Sequence, residues 1–197
     1  MNPNVFGGQR QLYSAFEVAY NEGILMVPDV LLNGEWKLMF KLECKGWSWD
    51  QDLQIIHADV RLEVDGEVLI DEPLCVDVGL PALLYSLNHE VEPNRWASPE
   101  ECFRMPFFCC GCGDPECRAF SFRTRHLDGG LVELTEMEER QHGEAKALAT
   151  YIIPLETYKS QIIPVANQYL SFVEGLEYRP YFADTVKVVR QLVNEHS

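Results

Sequence analysis

Basic residues are scarce in this sequence, and their scarcity excludes one large class of function. Lys and Arg number 16 against 31 Asp and Glu, which gives a formal net charge of −15 at pH 7. Because a protein that binds the phosphates of nucleic acid needs a basic surface, we expect no nucleic-acid binding. An acidic surface attracts oppositely charged molecules at long range, so the composition favours a basic protein partner.

Long hydrophobic runs are also missing. The stretch ILMVPDVLL is short and is interrupted by Pro28 and Asp29, whereas a membrane-spanning helix needs about 20 apolar residues. The first ten residues, MNPNVFGGQR, lack the basic start and following apolar run of a secretion signal. We therefore expect no membrane association and a cytoplasmic location.

The common catalytic signatures are absent as well. The sequence contains no H-E-x-x-H, no G-x-S-x-G and no G-x-x-x-x-G-K, which are motifs of zinc proteases, serine hydrolases and phosphate-binding loops. His142 and Glu144 form H-x-E, but the zinc-deaminase signature also needs a downstream P-C-x-x-C, and no cysteine follows Cys117. These absences favour a protein that is not an enzyme, with an enzyme of unrecognised type as an alternative.

Apolar residues, by contrast, are plentiful. Of the 197 residues, 47 % are hydrophobic and 11 % aromatic, which is enough to form a real core. The sequence shows no internal repeat, no low-complexity tract and no linker rich in Ser and Pro. We therefore expect a single domain over residues 1–197.

Alternating apolar residues predict antiparallel strands. IIHADVRLEV and EVLID flank Asp65 and Gly66, a pair that accepts the positive φ angles of a tight hairpin turn. RAFSFRTRH and LVELTEM flank LDGG in the same way and predict a second hairpin. GEWKLMFKLEC, which places Trp36, Leu38 and Phe40 on one face, and KALATYIIP predict two further strands.

Apolar residues at helical spacing appear in four segments, near the start, in the middle and near the end of the chain. Helices are predicted in RQLYSAFEVAYNEG, in GLPALLYSL and in LETYKSQIIPVANQYLSFVEG, where Pro164 should kink or break the last of them. ADTVKVVRQLVNEH predicts an amphipathic helix that Asp184 or Thr185 caps. Its apolar stripe could pack on its own domain or on a second copy, so a homodimer is possible.

Strands in runs followed by helices predict an α+β fold with a mainly antiparallel sheet, a cysteine-rich loop and C-terminal helices.

The most informative stretch is FFCCGCGDPEC, which holds four of the seven cysteines. Cys110, Cys112 and Cys117 form C-x-C-G-x-x-x-C, and the flanking glycines let the backbone curl through positive φ and turn the sulfurs toward one point. Thiolates are soft ligands that favour zinc among the abundant cytosolic ions. The pattern therefore predicts a structural zinc site with these three ligands.

A tetrahedral site needs a fourth ligand, and the sequence leaves its identity open. Cys102 lies eight residues before Cys110 and is the first candidate, while Cys75 or another residue brought close by a hairpin could complete the site equally well. Two other interpretations of the cluster from Cys109 to Cys117 remain open. Its cysteines could be reduced and simply packed, or they could serve a redox or metal sensor.

Two tryptophans, Trp47 and Trp49 in GWSWDQD, allow two roles. Exposed Trp side chains often dominate the energy of protein interfaces, so the pair could form a recognition patch. As an alternative, both side chains could cover one end of the core.

The order of these motifs resembles uncharacterised bacterial proteins. In those proteins a hairpin that turns on D-G or N-G, here VRLEVDGEVLID, precedes a cysteine loop, here C-x-C-G-x-x-x-C, and an aromatic strand and a Tyr-bearing helix follow, here ATYIIPLETYKSQI. The resemblance covers roughly residues 55 to 173. It is similar in style to immunity proteins of bacterial toxin systems, which are small, acidic and rich in Trp. It implies protein binding and carries no assigned enzymatic activity.

Overall fold

The described part of the chain contains eight strands, three α-helices and one 3₁₀ segment. The computed structural model describes residues 31–32, 35–36, 39–112, 114, 116–182 and 184–196; the helix predicted at 10–23 lies outside them. The strands are β1 (Leu31–Leu32), β2 (Glu35–Trp36), β3 (Phe40–Asp50), β4 (Ile55–Val64), β5 (Glu67–Cys75), β6 (Ser121–Leu127), β7 (Leu131–Glu138) and β8 (Lys146–Pro154). The helices are α1 (Leu80–Tyr85), α2 (Leu155–Val173) and α3 (Thr185–Asn194), with a 3₁₀ segment at Pro99–Arg104.

The first sheet is an antiparallel meander in the order β3-β4-β5. Its second turn is the predicted one, with Asp65 at φ 52° and Gly66 at φ 85°. These left-handed angles cost glycine little and are tolerated by Asp. The first predicted hairpin is therefore confirmed, and strand β4 buries alternate side chains such as Ile56, Ala58 and Val60 as a half-buried strand should.

Strand β3 begins at Phe40 and ends at Asp50, six residues beyond the end of the strand that the sequence pattern predicts over residues 34–44. Phe40 is buried as expected, but the strand continues to Asp50 through the segment KGWSWD. The pairing with β4 shifts between Lys45 and Ser48, where Gly46 takes φ 61° and forms a bulge. A bulge interrupts the alternation of buried and exposed side chains. The sequence pattern therefore stops at Cys44, although the strand itself continues.

Both tryptophans of this segment are half-buried and pack against the core. The ring of Trp47 lies 6.1 Å from that of Phe172 and 6.5 Å from that of Tyr169 in α2. Of the two roles that the sequence allowed, the structure favours covering the core over forming an exposed recognition patch.

The second sheet is another antiparallel meander, in the order β6-β7-β8. Gly129 and Gly130, at φ 79° and 73°, form the predicted turn between β6 and β7. The α+β class is therefore confirmed, with two separate three-stranded sheets and, among the described residues, the two-residue pairing of β1 with β2. The sequence pattern identified the strands, but it does not contain the long-range information that separates one sheet from two.

One buried cluster joins the two sheets and the helices. It contains Leu62 from the first sheet, Leu134 from the second, Tyr158 from α2 and Val189 from α3. Tyr158 is completely buried and its hydroxyl lies 2.9 Å from that of Ser86. The prediction of a single domain for residues 1–197 also includes segments outside the described ones and stays a prediction.

The two C-terminal helices differ from their predictions in one respect. Helix α2 continues through Pro164, so of the predicted kink or break, the break is wrong and the kink stays a prediction. Pro164 is exposed, so water can solvate the carbonyl that its missing N–H leaves unpaired. Helix α3 begins after Asp184, as predicted, and buries Val189 and Val193 against its own chain through contacts with α1 and α2. Among the described helices, none is long and apolar enough to span a membrane.

Candidate metal centre

The sulfurs of three cysteines converge in the segment between the 3₁₀ segment and β6. We call residues 109–117 the thiol loop. The Sγ atoms of Cys110, Cys112 and Cys117 all lie within 4.8 Å of one another, and that of Cys110 is 2.9 Å from each of the other two. Gly111 has φ 71°, the left-handed turn that brings both flanking cysteines to one side. The predicted convergence of the three thiols is therefore confirmed.

The spacing of these sulfurs can be compared with that of a zinc site. Zn–S bonds of about 2.3 Å in tetrahedral geometry separate the sulfurs by about 3.8 Å, so an ion would move the closest pairs apart by about 0.9 Å. Cys112 is exposed and Cys110 and Cys117 are half-buried, so the loop can make this adjustment at its surface. The donor set, three thiols on one short loop, fits a thiophilic ion such as zinc.

The hydrogen bonds of the cluster determine which thiol ionises first. Burial and the bonds to Cys112 and Cys117 raise the pKa of Cys110 to about 12. The bond that Cys110 donates lowers the pKa of Cys112, and the N–H of Asp114 also donates to its sulfur, at 3.5 Å. Cys112 is therefore the first thiolate of the group, and binding of a cation would release the remaining thiol protons.

An arginine distant in sequence holds the loop in shape. Arg95 Nη2 donates to the carbonyl oxygens of Asp114 and Cys117 at 2.7 and 2.6 Å. One guanidinium thus closes the loop around the thiols. Sequence reasoning missed Arg95, because it lies in an irregular segment and no local pattern relates it to residues some 20 positions later.

We expect Arg95→Met to lower the zinc affinity of the loop about tenfold, because residues that orient metal ligands typically contribute that much. Competition with a chromophoric chelator measures this affinity. Arg104→Met is the matched control, since Arg104 is exposed and pairs with Glu101 away from the thiols. If both variants bind zinc like the wild type, Arg95 has no role in shaping the site.

The structure places Cys102 and Cys109 apart from this group. Cys102 lies in the 3₁₀ segment and packs against a small buried cluster that includes Cys109 and Phe182, and it is not among the three thiols that lie within 4.8 Å of one another. Cys109 is buried and donates to the carbonyl of Pro106 at 3.6 Å. Burial raises the pKa of Cys109 far above its usual range, which argues against a role as a reactive thiolate.

Comparison of the chain with protein-family models, with curated proteins and with solved structures finds no match. The resemblance to bacterial proteins with a hairpin and a cysteine loop therefore stays a prediction. The function has to be argued from the thiol loop and the surface around it.

Proposed function

We propose that the protein is a non-enzymatic cytoplasmic interaction protein in which Cys110, Cys112 and Cys117 bind one zinc ion that braces the thiol loop. The observation that carries the proposal is the convergence of three sulfurs within 4.8 Å on a nine-residue loop. Zinc sites built from thiolates are commonly structural, whereas catalytic sites keep a position open for water or substrate.

The surroundings of the loop support a structural role for the ion. Arg95 fixes two of its carbonyls, and Arg118, just after the loop, lies 2.8 Å from Glu72 of the first sheet. The cavity that Cys102 lines, of about 320 Å³, contains the carboxylates Glu100 and Asp184 but, among its described lining residues, no histidine, so it lacks the imidazole base that most often activates a nucleophilic cysteine.

The proposed partner is a basic protein, as it would be for an immunity-like protein. The support is the net charge of −15 and the exposed Asp114 and Glu116, which lie between Cys112 and Cys117 in the loop. Acidic groups on a rigid loop would steer a basic surface toward it. The ion would then serve recognition by keeping these carboxylates in a fixed arrangement.

A pull-down with tagged protein tests the partner. We expect a basic protein to co-purify at low salt and to be lost at high salt, and the double variant Asp114→Asn, Glu116→Gln to retain less of it. The control is Asp128→Asn, Glu156→Gln, since these exposed acids lie at the opposite end of β6 and at the start of α2. Equal retention by both double variants would contradict a role for the loop.

The metal is tested on protein purified without added metal or chelator. Native mass spectrometry combined with elemental analysis should find one zinc per chain, lost on treatment with a strong chelator. A stable, reduced and metal-free chain would overturn the proposal.

A redox sensor is the second candidate, and one observation favours it. The sulfur of Cys110 lies 2.9 Å from that of exposed Cys112, whose pKa is lowered. Oxidation by hydrogen peroxide would join these two sulfurs, with loss of both thiol protons and reduction of the peroxide to two waters. The same mass measurement separates the candidates, because a disulfide makes the chain lighter by two hydrogens and leaves it without metal.

A further inference from the structure

The end of strand β5 and the residues just after it contact the chain at both ends of the thiol loop, on either side of Cys75. Near the end of the loop, the ion pair of Arg118 with Glu72 fixes the chain to β5. Near its start, Gly111 lies against Val78, since a Cβ at Gly111 would be 3.0 Å from a methyl group of Val78. Cys75 occupies the middle of the stretch between Glu72 and Val78, so these two contacts bring it beside the three thiols.

The electrostatics of the cysteines agree with this placement. Burial, followed by the charges of Cys110, Asp77 and Cys112, raises the pKa of Cys75 to about 12. The charge of Cys75 in turn helps to raise the pKa of Cys117. Burial is the cause that raises the pKa of Cys102, and none of these thiols contributes to it. The charge of Cys75 is thus coupled to those of all three converging sulfurs, whereas that of Cys102 is not. Like Cys102, Cys75 lies outside the group of sulfurs within 4.8 Å of one another, so a bound ion would have to draw it and the loop together.

We propose that Cys75 is the fourth ligand of the metal, which would then have four thiolates and would join strand β5 of the first sheet to the loop that leads into the second. This inference rests on the zinc site proposed above and assigns its open position to Cys75 instead of Cys102. Four thiolates make a closed tetrahedral shell, the usual donor set of a structural zinc site.

The neighbour of Cys75 across the sheet offers the main competing ligand. His57 of β4 is its directly paired residue, and paired residues point to the same face of a sheet. A ligand set of three sulfurs and one imidazole nitrogen is therefore the arrangement that the experiment must separate from four sulfurs. Cys75 is preferred because a fourth thiolate matches the three soft sulfur ligands of a thiophilic ion.

X-ray absorption of the zinc-loaded wild-type protein tests the ligand set without any substitution. The proposal predicts four sulfur neighbours at about 2.3 Å. Three sulfurs and one nitrogen would overturn it in favour of His57. If the wild-type protein binds no zinc at all, the result contradicts the proposed zinc site itself and not only the choice of its fourth ligand.

Two variants then identify the fourth sulfur. Cys75→Ser should lower zinc affinity by at least about 100-fold, since even the groups that only orient metal ligands contribute 10- to 100-fold. Cys102→Ser should bind zinc within about twofold of the wild type, and it is matched because Cys102 is also a half-buried cysteine. An unchanged affinity in Cys75→Ser together with a loss in Cys102→Ser would overturn the assignment.

Thiol protection in the wild-type protein gives the same answer if a variant fails to fold. Alkylation followed by peptide mapping should find Cys75, Cys110, Cys112 and Cys117 protected while zinc is bound, and all four modified faster after chelation. Cys102 should react at the same rate in both states. Protection of Cys102 by zinc in place of Cys75 would contradict the proposal.

Discussion

The Cys112→Ser protein is expected to purify without zinc and to melt about 6–12 °C below the wild type, a shift that corresponds to roughly 3 kcal/mol for a chain of this size. The reason is that a serine hydroxyl does not replace a thiolate as a zinc ligand at neutral pH, and the free energy of binding a structural metal is also folding free energy. Cys112 is exposed, so the substitution alone should cost no more than about 0.5 kcal/mol. A large effect at this position therefore reports on the metal.

The matched control is Cys44→Ala. Cys44 is 4 % exposed and lies in the core, so alanine, which adds no buried hydroxyl, is the appropriate replacement. We expect this variant to keep one zinc per chain and to lose only the packing of one sulfur, about 1 kcal/mol. Thermal melting with parallel elemental analysis gives both quantities. If both variants show equal, small shifts and Cys112→Ser retains its metal, the zinc site is wrong.

Gly79→Ala is expected to destabilise the protein by about 3 kcal/mol or more, because overpacking against rigid groups is among the costly substitutions. A Cβ on Gly79 would lie 2.1 Å from the carbonyl oxygen of Pro106 and 2.2 Å from that of Phe107. Both are backbone atoms, so the chain itself has to move. These two segments carry Cys75 and the thiol loop, and we expect zinc affinity to fall together with stability.

Urea denaturation measures the loss of stability, and Gly175→Ala is its control. Gly175 has φ 80°, but nothing lies within 4 Å of the added Cβ, so only the left-handed backbone contributes a cost of about 1–2 kcal/mol. Equal losses in the two variants would show that the close approach at Gly79 is relieved by small movements and does not position the site.

The parts of the fold that the sequence predicts correctly are those that local physics determines. Asp65 and Gly66 specify a hairpin turn because their backbone preference is local, and the alternation on either side of them determines which face is buried. In the same way, Gly111 and the spacing of Cys110 and Cys112 specify a curled thiol loop.

The parts that the sequence does not reveal depend on contacts between distant segments. Nothing near Arg95 indicates that its guanidinium reaches carbonyls about 20 residues later. Cys75, the proposed fourth ligand, lies 35 positions before Cys110. Sequence spacing alone therefore gives no reason to prefer it to Cys102. Pro164 breaks isolated helices, but packing of both flanking turns of α2 on the core keeps this helix continuous.

The strand order of the two sheets also has a kinetic consequence. Each sheet pairs only strands that follow one another along the chain, so its loops close over short distances and it can form early, within microseconds to milliseconds for elements of this kind. The slower step is then the docking of the two meanders into their shared buried cluster, because it brings together segments that are far apart in the chain. Chains in which the two meanders have formed but have not docked would expose the apolar face of each sheet. These intermediates are the species that a chaperone would have to recognise.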